Sequence, residues 1–187
     1  MAAVPRDAFL PAELRERAWE DVALPIGGRQ TISQPRVVAR MCELLAPGPD
    51  EVVLDVGTGS GYHAAVLARL AEHVWTIERD PRLAERAARA LRDVGATNVT
   101  AVVGDGSLGL PDHGPFPAIN VAAAARPAAL ARLAEQLAPG GRLVAPLVDG
   151  EERIVLLRRG EGGLERTEHE RVRFVPLVEG RRRRPGR

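Results

Sequence analysis

Short runs of apolar residues recur along the chain, and most of them are followed by a stretch with helical periodicity. The clearest is the largely apolar run Val52–Val56, which leads through a glycine turn into a helical stretch at 61–71. Such a run is typical of a strand buried on both faces of a parallel sheet. Because these strands alternate with helices, the pattern predicts an α/β fold with a doubly wound, mostly parallel sheet.

The same pattern places the remaining elements. The predicted helices cover 12–20, 35–46, 61–71, 81–94 and 127–137, the predicted parallel strands cover 52–56, 74–77, 98–103, 118–122 and 142–147, and residues 21–28 and 107–117 are predicted to be irregular. Two further β runs, 153–158 and 171–177, have no room for a crossover helix between them. They are therefore predicted to form a C-terminal antiparallel hairpin at one end of the sheet.

Composition favours one domain and argues against nucleic acid as a partner. With 187 residues, 45% of them hydrophobic, the chain can bury one sizeable core, so residues 1–180 are predicted to be a single domain. The net charge of +1 is uneven, because 181–187 hold five arginines while 1–180 hold 21 arginines against 25 acids. The body is thus not a general nucleic-acid binder, and the arginine-rich tail is predicted to be solvated and disordered.

The remaining bulk features point to a small protein of the cytoplasm. Cys42 is the only cysteine, so no internal disulfide can form, which fits a reducing compartment. The N-terminus lacks the pattern of a signal peptide, and no run of about 18 apolar residues exists. We therefore expect a soluble, cytoplasmic monomer with no membrane contact. The four histidines show no metal-ligand spacing, and no metal site is predicted.

Candidate chemistry begins at the glycine turn. Glycines at 57, 59 and 61 let backbone N–H groups approach a ligand closely, because no Cβ is in the way. The spacing is not that of a dinucleotide fold, and the chain has no lysine for a phosphate-binding loop. A turn that serves only to join a strand to a helix is the simplest alternative. The spacing G-x-G-x-G behind an acidic residue instead resembles the first motif of S-adenosylmethionine-dependent methyltransferases.

Two further strand ends support a nucleoside ligand. Glu78 follows the predicted strand 74–77, where a carboxylate can accept hydrogen bonds from ribose hydroxyls. A helix-entry acid is the alternative reading of this position. Asp105 and Gly106 follow the next strand. Because the carboxyl ends of parallel strands meet at one edge, these three turns are expected to build one crevice.

Beyond the glycine motif, the chain resembles one family, the protein-L-isoaspartate O-methyltransferases. The residues that carry the resemblance are Val4-Pro5-Arg6, Phe9-Leu10-Pro11, Leu24-Pro25-Ile26-Gly27, Gln30–Pro35, Gly57–Tyr62, Ile77-Glu78-Arg79, Gly104-Asp105-Gly106 and Val172–Leu177. The segment Gln30–Pro35 is the most specific of them, since general methyltransferases lack it. The resemblance implies a seven-stranded Rossmann-like methyltransferase fold, S-adenosylmethionine as methyl donor, and isoaspartyl-containing peptides or proteins as acceptors in protein repair.

The resemblance also implies roles for individual residues. The active-site serine of the family falls on Ser33. Cofactor-binding positions fall on Asp55, Gly57, Thr58, Gly59, Ser60, Gly61, Glu78, Arg79, Asp105 and Gly106. Substrate-binding positions fall on Thr31, Ile32, Gln34, Val172, Phe174 and Val175, and residues 1–46 correspond to a substrate and lid segment.

Three departures from the family pattern concern the acceptor side. The family has a longer stretch before the Val4 element, so part of a lid over the cofactor is expected to be missing. Gly28-Arg29 replaces a bulky residue and a glycine, and Pro117 and Asn120 interrupt a strand that usually begins aromatic-Asp and ends in Thr. These changes are expected to border the substrate side of the crevice. They leave open a related carboxyl methyltransferase acting on an aspartate of a peptide natural product, or a non-catalytic S-adenosylmethionine-binding protein.

The chemistry places few demands on the chain. A carboxylate acceptor, with a pKa of about 4, is already ionised at pH 7, so methyl transfer needs no general base. Catalysis can come from aligning acceptor, methyl and sulfur and from excluding water. Ser33 is then expected to orient the acceptor by donating a hydrogen bond, and a plain helix N-cap is the alternative role. His63 is expected to be a core or surface histidine rather than a catalyst.

Overall fold

The computed structural model describes residues 3–180. The strands are Leu24–Gly27 (β1), Gln30–Ile32 (β2), Val52–Val56 (β3), His73–Glu78 (β4), Val99–Val103 (β5), Phe116–Val121 (β6), Leu137–Asp149 (β7), Glu151–Gly160 (β8) and Gly163–Arg171 (β9). The α-helices are Pro35–Leu45 (α1), Tyr62–Leu67 (α2), Pro81–Asp93 (α3) and Pro127–Ala134 (α4), and 3₁₀ turns cover Arg6–Phe9, Ala12–Arg17, Gly106–Leu108 and Pro111–His113.

Seven strands form one sheet in the order β5-β4-β3-β6-β7-β8-β9. The pairs from β5 to β7 are parallel, and β7, β8 and β9 pair antiparallel. The predicted fold class, a mostly parallel seven-stranded sheet with a C-terminal antiparallel hairpin, is therefore confirmed. The chain leaves β3 toward β4 on one side and returns at β6 on the other, which is the switch point where ligands bind in open α/β sheets.

The central strands β3, β4 and β6 are buried on both faces, as their apolar sequences predict. Val53 faces a core cluster built from the N-terminal residues and the helices α1, α2 and α3. Leu54, its neighbour on β3, faces a second cluster built with α4. Successive side chains on a strand point to opposite faces, so every central strand contributes to both clusters. No helix within residues 3–180 is both long enough and apolar enough to cross a bilayer.

The second strand of the predicted hairpin was placed wrongly. The sequence pattern selects 171–177, but the strand is β9, and it ends at Arg171. Nearly every side chain of β9 is exposed, so it has no apolar alternation to detect. It is held by the ladder to β8 and by a surface ion pair between Arg171 and Glu151 of β8 at 2.7 Å. Charged side chains on an edge strand also discourage pairing with other chains.

The N-terminal part also departs from its prediction. A β1–β2 hairpin forms where residues 21–28 were predicted to be irregular, and residues 12–17 form a 3₁₀ turn instead of an α-helix. The hairpin turn is Gly28-Arg29, in which both residues have a φ of 61°. This two-residue loop with positive φ matches the right-handed twist of the strands it joins.

Two helices are shorter than predicted, since α2 ends at Leu67 and α4 at Ala134. The single-domain boundary at residue 180 stays a prediction. The arginine-rich tail at 181–187 lies outside the described residues.

Candidate active site and cofactor cavity

Two adjoining cavities open at the carboxyl edge of the sheet. The first, here named the glycine-turn cavity, is lined by Gln30, Thr31, Gly57, Gly59, Ile77, Glu78, Arg79, Gly106, Ala122, Ala123, Val175, Pro176, Leu177 and Val178. The second, the Ser33 cavity, is lined by Ala23, Thr31, Ser33, Gln34, Val37, Ala122, Arg171, Val172, Arg173, Phe174 and Val175. Thr31, Ala122 and Val175 belong to both linings, so the two cavities meet at these residues.

The glycine turn is held open by backbone geometry that side chains rarely adopt. Gly57, Gly59 and Gly61 have φ values of 96°, 54° and 93°. L-residues with a Cβ avoid such values, which explains why glycine stands at all three positions. The Gly57 N–H donates to the carbonyl oxygen of Ile77 at 2.9 Å, which fixes the turn against the end of β4.

Glu78 connects this turn to the next one. Its side chain is buried, and Oε2 accepts the N–H of Gly59 at 3.0 Å while Oε1 accepts the N–H of Asp80 at 2.9 Å. A carboxylate has about four acceptor positions, so two remain for a ligand. Because Glu78 also lines the glycine-turn cavity, these positions suit the two vicinal hydroxyls of a ribose.

A chain of buried polar side chains lies beneath the turn. The hydroxyls of Thr58 and Thr76 are 2.6 Å apart, and Thr76 donates to Asp55 at 2.7 Å. Asn120 Nδ2 donates to the other oxygen of Asp55 at 2.7 Å and lies 3.2 Å from Nδ1 of His63. Since Thr76 gives its proton to Asp55, Thr58 must donate to Thr76. The chain thereby fixes Thr58 inside the glycine turn.

Burial controls the protonation of this chain. Burial raises the pKa of Asp55 to about 6, although hydrogen bonds from Asn120 and Thr76 oppose the shift. Burial also lowers the pKa of His63 to about 4, so the imidazole is neutral near pH 7. Its Nε2 lies 3.5 Å from Sγ of Cys42, and burial raises the pKa of that thiol to about 12. His63 and Cys42 are therefore core residues, and for His63 the structure selects the core from the two expected locations, core or surface.

Ser33 lies between β2 and α1. The N-cap of α1 is Gln34, so Ser33 is not the helix cap. Within residues 3–180 the Ser33 hydroxyl makes no hydrogen bond, while the Ser33 carbonyl accepts one from Arg6 Nη2 at 3.0 Å. The hydroxyl is therefore available to a molecule in the Ser33 cavity.

Residues 172–180, here named the C-terminal segment, run along both cavities. The Ala124 N–H donates to the carbonyl of Val175, and the Leu177 N–H donates to the carbonyl of Ala124, both at 2.8 Å. At its end, the N–H of Gly180 donates to Asp105 Oδ2 at 2.7 Å. The apolar pattern that suggested a strand at 171–177 thus reflects contacts with the site.

The comparisons with known proteins agree with this arrangement. The family model described as protein-L-isoaspartate(D-aspartate) O-methyltransferase matches residues 1–182. The protein-L-isoaspartate O-methyltransferase of Aeromonas hydrophila is 49% identical over 180 residues, covering 96% of this chain and 87% of that protein.

The chain belongs to the protein-L-isoaspartate O-methyltransferase family.

Solved structures of the family share the fold. One protein-L-isoaspartate O-methyltransferase matches with a TM-score of 0.82 at 27% identity, covering 94% of this chain and 58% of that one. A putative protein-L-isoaspartate O-methyltransferase from Plasmodium falciparum, solved in complex with S-adenosyl-L-homocysteine, matches with a TM-score of 0.78 at 22% identity. That match covers 96% of this chain and 88% of the Plasmodium chain.

The structure brings most of the predicted site residues of the family to the two cavities. Those that line a cavity are Thr31, Ser33, Gln34, Gly57, Gly59, Glu78, Arg79, Gly106, Val172, Phe174 and Val175. Those that line neither of these two cavities are Ile32, Asp55, Thr58, Ser60, Gly61 and Asp105. Asp55 and Thr58 are buried in the polar chain, and Ile32 is buried in the core. Direct contacts of these residues with a cofactor or substrate stay predictions.

Sequence reasoning missed Ala122 and Ala123, which line the cavities directly after β6. Their place after an apolar strand was the available signal, but alanine has no side-chain functional group that would suggest a role.

The prediction for Pro117, that it borders the substrate side, was wrong. Pro117 lies at the start of β6, at the amino ends of the parallel strands and thus away from the cavities. Its carbonyl accepts a hydrogen bond from Arg142 at 3.1 Å. Asn120 is buried beneath the glycine turn and lines neither cavity.

Proposed function

We propose that this protein transfers the methyl group of S-adenosylmethionine to the free carboxylate of L-isoaspartyl residues in damaged proteins or peptides. The observation that carries the proposal is the junction of the two cavities. Thr31, Ala122 and Val175 form a shared wall between a nucleoside-type site and a site with a free serine hydroxyl. Membership of the family supports the same acceptor.

The glycine-turn cavity fits the cofactor. Glu78 offers acceptors for the ribose, and Gly57 and Gly59 leave space for close backbone approach. Ile77 and Leu177 give the cavity apolar walls that suit an adenine ring. When bound, S-adenosylmethionine supplies a methyl group on a positively charged sulfur, so the chain has to provide only position and shelter from water.

The start of α1 supplies few donors for an acceptor carboxylate in the Ser33 cavity. Pro35 has no N–H, and the N–H of Arg36 already donates to Asp21 Oδ1 at 3.0 Å. The start of α1 therefore offers less than its position suggests. The hydroxyl of Ser33 and the side-chain amide of Gln34 belong to residues that line the cavity, as do the arginines Arg171 and Arg173. We assign orientation of the acceptor oxygen to Ser33, by a charge-assisted hydrogen bond.

The decisive experiment supplies labelled S-adenosylmethionine and a synthetic isoaspartyl peptide. The normal aspartyl peptide of the same sequence is the control. We expect label on the isoaspartyl peptide alone, as a base-labile ester. Equal labelling of both peptides would indicate a different carboxyl methyltransferase, and cofactor binding without any transfer would indicate a binding protein. Because Pro117 and Asn120 line neither cavity, they do not favour another acceptor.

We further propose that the protein acts as a monomer in the cytoplasm. The buried, unpaired thiol of Cys42 supports a reducing compartment. Sedimentation of the purified protein tests the oligomeric state, and fractionation of cells tests the compartment.

A further inference from the structure

Arg6 is fully buried near the catalytic segment. Its Nη1 donates to the carbonyl of Ala18, and its Nη2 donates to the carbonyls of Val22 and Ser33, both at 3.0 Å. Its guanidinium carbon also lies 5.9 Å from the centre of the Tyr62 ring. One side chain therefore joins the 3₁₀ turn Arg6–Phe9 to the segment before β1 and to the backbone of Ser33.

Burying the guanidinium of Arg6 in this way costs free energy of desolvation. Within residues 3–180 no carboxylate lies within ion-pair distance of Arg6, and its Nε has no hydrogen-bond partner. Burial accordingly lowers the pKa of the guanidinium, although arginine remains charged in proteins. A buried charge satisfied only by neutral carbonyls contributes little net stability, because its desolvation offsets the hydrogen bonds. Stability alone is thus a weak reason for arginine at this position.

The contact with Ser33 suggests the reason. Ile32, the preceding residue, is anchored in the core, and Gln34, the following one, is the N-cap of α1. The carbonyl of Ser33 is the group between these two anchors that Arg6 holds. Fixing this carbonyl fixes the peptide plane after Ser33, and with it the direction in which the Ser33 side chain leaves the backbone.

We propose that Arg6 is a positioning residue for methyl transfer, which directs the Ser33 hydroxyl into the acceptor cavity by holding the Ser33 carbonyl. The inference rests on the proposed function, because it assigns Arg6 a part in that reaction. Arg6 does not line either cavity, so its effect passes through Ser33. A displacement of the hydroxyl by a fraction of an ångström is enough to weaken a hydrogen bond to the acceptor.

The chain offers a matched control in Arg142. It also binds several backbone carbonyls, those of Leu45, Ala46 and Pro117, at 2.6, 2.5 and 3.1 Å. It lies at the opposite edge of the sheet and forms an ion pair with Glu51. Replacing Arg142 therefore tests the loss of a carbonyl-binding arginine without any link to Ser33.

The test is a double-mutant cycle in the full chain with Arg6→Lys and Ser33→Ala. Lysine keeps the charge but cannot reach three carbonyls with one ammonium group in the same geometry. We expect Arg6→Lys to lower kcat/KM for the isoaspartyl peptide about tenfold, but by less than about twofold when Ser33 is already alanine. Affinity for S-adenosylhomocysteine, measured by calorimetry, should change less than about twofold in each variant. Arg142→Lys should leave kcat/KM per folded molecule nearly unchanged.

Equal effects of Arg6→Lys with and without the Ser33 hydroxyl would overturn the inference, and so would a loss of cofactor affinity that follows the loss of activity. If Arg6→Lys does not fold, Arg6→Met removes the buried charge and must show the same dependence on Ser33. A parent chain that neither binds nor methylates the isoaspartyl peptide would overturn the proposed function, and this inference with it. A parent chain that methylates the peptide, combined with an additive cycle, would overturn the inference alone.

Discussion

Asp55 and His63, which lie beneath the glycine turn and have shifted pKa values, change the stability of the fold in opposite directions as the pH changes. The pKa of Asp55 is about 6 in the folded protein, whereas the ordinary value for an aspartate is about 3.8. The stability that the raised pKa of Asp55 gives to the folded protein is therefore fully present below the unfolded pKa and is lost as pH rises through 6. The pKa of His63 is about 4 in the folded protein, whereas the ordinary value for a histidine is about 6.5. The stability that the lowered pKa of His63 gives to the folded protein is present above pH 6.5 and is lost as pH falls through 4.

The two contributions nearly cancel between pH 4 and 6. Folding makes Asp55 take up a proton in this window and makes His63 release one, so each changes the free energy of unfolding by about 1.4 kcal/mol per pH unit with opposite sign. Over two pH units each amounts to about 3 kcal/mol. The background from other carboxyl groups is common to all variants, so differences between variants isolate each group.

The perturbation is Asp55→Asn, compared with the parent chain by urea unfolding at several pH values from 4.5 to 6.5. We expect the stability of the variant relative to the parent to rise with pH, by about 1.4 kcal/mol per unit below pH 6. His63→Gln should show the mirror image, because it removes the group that favours higher pH. A difference that stays constant with pH for Asp55→Asn would refute a raised pKa for Asp55, whatever the absolute stability of the variant.

Three further changes test the site and the turn. Ser33→Ala should lower kcat/KM for an isoaspartyl peptide about 10- to 100-fold, the value of one charge-assisted hydrogen bond, and unchanged turnover would remove Ser33 from the mechanism. Glu78→Ala should weaken S-adenosylhomocysteine binding in calorimetry by a similar factor, and equal losses for an analogue without ribose hydroxyls would show that Glu78 acts only through the turn. Arg29→Gly should raise the free energy of unfolding by about 1 kcal/mol because it relieves a positive φ, whereas Gly28→Ala should lower it, and urea unfolding measures both.

The central part of the fold could be predicted because it obeys local rules. Strands β3, β4 and β6 are largely apolar and buried on both faces, and glycine or proline marks the neighbouring turns. Strand β9 could not be predicted from apolar pattern, because its pairing depends on backbone hydrogen bonds to β8 and not on burial. The β1–β2 hairpin was not predicted because its turn places Arg29 at a positive φ, which arginine disfavours.

For the site, the sequence indicated which residue types are involved, but not which of them line the cavities and which are buried beneath them. Ser33 and Glu78 carry recognisable chemistry and line the cavities. Asp55 carries similar chemistry but lies beneath the floor, because β3 directs its side chain toward Thr76 and Asn120. Motif spacing does not distinguish a residue that contacts a ligand from one that supports the contact. Arg6 was recognised only as part of a matching motif, since its partners are carbonyl groups that leave no trace in a sequence.

The position of the C-terminal segment makes the site depend on the last part of the described chain to be synthesised. Residues 172–178 supply a wall to each cavity, yet they emerge from the ribosome after every strand of the sheet. A nascent chain that pauses after β9 contains every strand of the sheet but lacks the wall that residues 172–178 give to each cavity. Translation must therefore pass this point before both cavities are complete.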